Sequence, residues 1–163
     1  MTKTPTTSAS TSSDSDLGVR TNVSVDVIDT TTGALARHET KNVTCVGGHE
    51  AVAQFLGNAD PPEPSALALG AGGGTGTDPS NRSLNVEEAT TPVNSTTASG
   101  TTATIRAFVP SLRQLASDID EVGVALDSGD LLNHATITPV DLSGTDTLLV
   151  VTTDITIADP TQP

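Results

Sequence analysis

The residues best placed to do chemistry lie in "ALALGAGGGTGTDPSNRSLNVEE", residues 66–88, where a short apolar run opens into a cluster of glycines. Loops of this kind hold phosphate in nucleotide-binding proteins. Backbone N–H groups wrap the anion and, in the Walker pattern, a lysine reaches its terminal oxygens. No lysine lies between Ala66 and Glu88, and the chain holds only Lys3 and Lys41. The dinucleotide fingerprint needs a third glycine where Thr75 stands after Gly70 and Gly72, and then a helix facing the pyrophosphate. The chain continues instead with "GTDPSNRSLN", residues that favour local side chain to backbone turns. The stretch reads as a flexible loop between strands, and no cofactor or cofactor-binding residue is assigned.

The other reactive side chains are scattered. His38, His49 and His134 have no second His or Cys at metal-ligand spacing, and Cys45 with His49 makes only half a zinc site. Each histidine reads as structural or surface-exposed. Cys45 is the only cysteine, so no intrachain disulfide can form; between Val43 and Val46 it reads as a buried small hydrophobe. No G-x-S-x-G elbow occurs, so no catalytic residue is assigned and the chain is read as non-enzymatic. Asp118, Asp120, Glu121, Asp127 and Asp130 cluster without the closing Glu of an EF-hand, and they read as a solvated acidic rim with no metal assigned. Asn22, Asn42, Asn81 and Asn94 head N-x-S/T tripeptides, at a frequency little above chance in so Ser/Thr-rich a chain.

The elements that must position these residues are mostly strands. "TNVSVDVID" puts Val23, Val25 and Val27 on one face, the period of a half-buried strand. "TTTG" then turns into a returning strand, "ALARHETKNVTCV", so residues 20–46 are expected to form a hairpin. "GGHEAVAQFLG" predicts a short helix that docks through Ala51, Val52, Phe55 and Leu56, with Gly57 as its stop and Glu50 suiting the dipole at its start. Further strands are expected at "ALALG", around Thr104 to Val109, and in "IDEVGVAL", "LLNHATITPV" and "TLLVVTTDITI". Seven to nine short strands and one helix point to a mainly β fold, an antiparallel β-sandwich or jelly-roll-like domain over residues 19–159. Residues 1–18 are expected to be a disordered Ser/Thr-rich arm. They lack the apolar core of a secretory signal, and no apolar run approaches the roughly 20 residues of a membrane span.

Composition narrows the partners. Twenty acids against seven bases give a formal charge of −13, which excludes a general nucleic-acid binder and disfavours an anionic membrane surface. The acidic excess with almost no lysine suits molar salt, where self-repulsion is screened. Only Phe55 and Phe108 are aromatic, so the core is built from small aliphatic side chains, and self-association would supply what a monomer lacks.

"VTCVGGHEAVAQFLG…PSALALGAGGGTGTDPSNRSLNVEE", followed by "IDEVGVALDSGDLLNHATITPVDLSGTDTLLVVTTDITI", resembles small structural proteins of tailed viruses over residues 20–157. The acidity and scarce aromatics suit a virus of haloarchaea. The resemblance implies a virion component that self-assembles and binds other virion proteins such as the major capsid protein. It carries over no catalytic residues. The first expectation is a capsid decoration of turret, spike or cement type, with the glycine stretch as a mobile or interface loop. The alternatives are a tail component (tube, adaptor, baseplate or fibre) and an extracellular glycan- or ion-binding module.

Overall fold

The computed structural model describes residues 18–38, 40–110, 117–142 and 146–158. The expected arm at residues 1–18 lies outside the described residues except for Gly18, where the first strand begins. In chain order the elements are β1 (Gly18–Asp29), β2 (Leu35–His38), β3 (Thr40–Thr44), α1 (Val46–Leu56), β4 (Pro64–Gly70), β5 (Glu87–Pro92), β6 (Ser95–Ser99), β7 (Thr102–Pro110), β8 (Ile119–Leu126), β9 (Asn133–Val140) and β10 (Thr147–Ala158).

Two five-stranded antiparallel sheets, ordered β2-β1-β10-β7-β6 and β3-β9-β8-β4-β5, pack as a β-sandwich with one helix. Alternation along the strands decides the inner faces. Val23 and Val25 of β1, Val109 of β7, and Leu149 and Val151 of β10 meet Leu67 and Leu69 of β4, Val122 of β8 and Ala135 of β9 in one core. The longest pairing is β1 with β10, in unbroken register from Gly18 opposite Ala158 to Asp29 opposite Thr147.

The hairpin expected over residues 20–46 is only half right. β2 returns along β1, but β3 crosses to the other sheet and pairs with β9. Polar side chains stitch the two sheets where they meet. The Asn42 amide donates to the Thr21 carbonyl at 2.6 Å, the Thr40 hydroxyl donates to the Val23 carbonyl at 2.7 Å, and Thr21 and Thr44 hydroxyls lie 3.1 Å apart. Thr40, Asn42 and Thr44 are alternate residues, so all three face β1.

The helix forms where expected but docks on a different face. It buries Gly47, Gly48 and Ala51, leaves Val52 half-buried, and leaves Phe55 and Leu56 69% and 73% exposed. The glycines explain this. A Cβ at Gly47 would stand 2.6 Å from the Leu131 carbonyl oxygen, and one at Gly48 2.5 Å from that of Leu132. The helix therefore lies directly on backbone, and its large apolar side chains are turned outward.

Candidate functional site

The segment between β4 and β5 folds back over the outer face of β8 and β9 as a third layer. Leu84 packs there with Cys45, Ala68 and Leu131, and its side chain lies over Gly123. The glycines lead into this layer through a short 3-10 turn at Gly73–Thr75.

Beneath that loop is an anion, and it belongs to the chain itself. Glu121 is fully buried. Its Oε1 accepts the backbone N–H groups of Gly72 at 2.9 Å and Val86 at 2.7 Å, and its Oε2 accepts that of Asn85 at 3.1 Å. The Nε2 of His134, also fully buried, lies 2.8 Å from the same Oε2. Next to it, Asp120 Oδ1 accepts the Gly73 N–H at 2.7 Å. Asn85 then ties the loop to itself, its amide donating to the Gly72 and Gly76 carbonyls. This is the arrangement by which glycine loops grip phosphate, with a side-chain carboxylate in the phosphate's position.

Gly70 and Gly72 are needed for closeness, whereas Gly76 further along the loop takes a left-handed φ of 86°. A Cβ at Gly72 would lie 2.6 Å from Asn85 Cβ and 2.7 Å from Glu121 Oε1, and one at Gly70 would lie 2.6 Å from that same oxygen. At Gly74 a Cβ would meet nothing within 4 Å.

His134 gives Nε2 to the carboxylate, while its Nδ1 is buried with no partner. An imidazole that donates through Nε2–H presents a lone pair at Nδ1, which costs less to leave unpaired than an N–H. A Glu–His pair can shuttle protons when a substrate reaches it. Here both side chains are sealed at 0% exposure, and the arrangement acts as a lock that holds the loop against the sheet.

The expected acidic rim divides. Glu121 leaves it entirely, because strand alternation aims it at the face that the loop covers. Asp118 is exposed and Asp120 holds Gly73. Asp127 and Asp130 instead join Glu50, Asp60 and Glu63 around an open hollow of about 380 Å³ beside α1. Arg82 forks across this group, 2.8 Å from Glu50 Oε1 and 2.8 Å from Asp130 Oδ2. Its guanidinium holds the Glu50 carboxyl below the usual carboxylate range. Glu50 therefore pairs with the glycine segment rather than serving only the helix dipole. No three His, Cys, Asp or Glu side chains among the described residues are grouped so as to hold a metal ion.

The remaining candidates separate. Cys45 is fully buried at the head of α1; burial, and then the charge of Asp78, pushes its thiol up to about 11. His49 is exposed, so the half zinc site is not assembled. His38 is partly buried on β2, with an unpartnered Nδ1. Asn42 spends its amide between the sheets and Asn81 donates to Asn85 Oδ1, whereas Asn22 and Asn94 are exposed. The Glu121–His134 lock is not apparent from sequence. Its one signal is an acid inside the apolar run "EVGVAL", two residues before a glycine on the same strand face.

No protein-family model, no curated protein and no solved structure matches the chain.

Proposed function

We propose that the chain is a non-enzymatic structural protein of a halophilic tailed virus, self-assembling and decorating the capsid as a turret, spike or cement element. The observation that carries this reading is the distribution of charge and apolar surface. A chain of net charge −13 exposes Phe55 and Leu56 side by side, at an end of the sandwich whose groove has no charged residue in its lining among the described residues. A neutral apolar groove on so acidic a chain suits a part built to meet other protein in molar salt. The sequence resemblance over residues 20–157 supplies the virion context. The Glu121 lock fits a role in which the glycine loop is framework and not a ligand site.

Peptide mass spectrometry of purified tailed particles from a culture producing this chain tests the reading. The chain is expected in amounts comparable with the shell protein, and it should remain bound through washing in molar salt. Recovery only in the soluble fraction overturns it.

A further inference from the structure

The open end of the sandwich is a groove of about 480 Å³ between α1 and the inner face of the sheet that contains β6, β7 and β10. Val52 and Phe55 form one wall, and Ala98, Ala103, Ile155 and Ile157 form the other. These sheet residues alternate on the face that is core elsewhere, where Ile105 and Thr153 are buried. Among the described residues the core is therefore only partly covered at this end: α1 contributes Ala51 to the cluster that holds Ile105 and Leu132, while Phe55 and Leu56 point away from it.

We propose that a second copy of this chain covers this groove, in a twofold contact where Phe55 and Leu56 of each copy enter the groove of the other. Three observations favour a second copy over a different partner. First, a neutral face lowers the self-repulsion that an acidic chain meets on association, and among the described residues this groove is lined by no charged side chain. Second, projecting and receiving parts lie together. Phe55 is 69% exposed while forming part of the groove wall, and Leu56 beside it is 73% exposed, so one patch complements itself across a twofold axis. Third, the bordering edge strand carries no charge. β5 presents Glu87 and Glu88, β3 presents Lys41 and β2 presents Arg37, which are the residues that discourage edge pairing, whereas β6 is Ser-Thr-Thr-Ala-Ser. Thr96 and Ala98 of β6 also line the groove.

This rests on the self-assembly reading above, and the test separates the two. The full chain is measured by size exclusion with light scattering and refractive-index detection, over a dilution series in molar salt. Phe55→Glu, Leu56→Glu and the control Leu35→Glu are run alongside. Leu35 is an exposed apolar residue on β2, the far edge of the same sheet. The expected result is a dimer or larger even-numbered assembly. Its Kd should rise about a hundredfold or more in Phe55→Glu and in Leu56→Glu, since each twofold contact would take in two charges. Leu35→Glu is expected to keep the wild-type mass, and circular dichroism should match throughout. An odd-numbered ring, or an assembly that both α1 variants leave intact, overturns this face while self-assembly stands. A wild-type monomer in molar salt overturns both.

Discussion

At the scale of single residues, the most consequential atoms are the two oxygens of Glu121. They accept three backbone N–H groups and face an imidazole in a space sealed from solvent. Removing one member of such a set leaves the others buried and unpaired, which typically costs about 3–5 kcal/mol. Glu121→Gln keeps the size but aims an NH₂ at N–H donors. It is expected to destabilise by about 2–4 kcal/mol, read as a drop in the calorimetric midpoint; an unchanged midpoint would show that the carboxylate is dispensable. Cys45 gives a second residue-scale prediction. Its thiol, pushed up to about 11, stays protonated at pH 8, so alkylation by iodoacetamide is expected to be slow in the native protein and fast in denaturant. Because its folded value lies above the ordinary thiol value, the stability tied to this group is complete below about pH 9 and drains as pH rises towards 11. Rapid native alkylation at pH 8 would contradict the burial.

At the scale of elements, the glycine segment and α1 share one rule, in which a missing side chain lets backbone lie directly on what it covers. Gly72→Ala is expected to lower stability by about 2–4 kcal/mol, because the new methyl must displace Glu121 or Asn85. Gly74→Ala, two residues on and facing open space, is expected to shift stability by less than about 1 kcal/mol. Equal midpoints for the two variants would refute the close-approach account. Much at this scale is legible in the sequence. Alternate valines announce β1, Leu149 to Ile157 announce β10, and the helix falls between Cys45 and Gly57. What is not legible depends on the third dimension. β2 and β3 run on with a single residue between them, so nothing local marks the jump between sheets. The buried face of α1 is set by its glycines, whereas apolar periodicity points to Phe55 and Leu56. Glu121 looks solvated in sequence because its burial depends on a loop from elsewhere in the chain.

At the scale of the whole molecule, charge sets the response to solution conditions. The Asp26 carboxyl is held below its usual range by Arg37, that of Glu50 by Arg82, and that of Asp78 by Ser80. A depressed folded value means that the unfolded chain takes up protons first. This contribution is therefore complete above the ordinary carboxylate range and is lost as pH falls through the depressed values. Midpoints are expected to fall on acidification from pH 5 towards pH 3 in molar salt, where long-range repulsion is already screened. A midpoint that stays flat across that window would show that these pairs contribute nothing. Near pH 7, moving from dilute buffer to molar salt is expected to raise the midpoint by roughly 5 °C or more, as the repulsion among 20 acids is screened.

The Glu121 lock also orders events in time. Glu121 lies 49 residues after Gly72, so during synthesis the loop is made well before the carboxylate that closes it. At roughly 5–20 residues per second, that gap lasts several seconds. Until β8 pairs with β4, the N–H groups of Gly72, Asn85 and Val86 have only water to bond. The loop is therefore a latch whose closure requires β8 to be in place, and amide exchange at these three positions in a refolding pulse is expected to gain protection no earlier than the amides of β8.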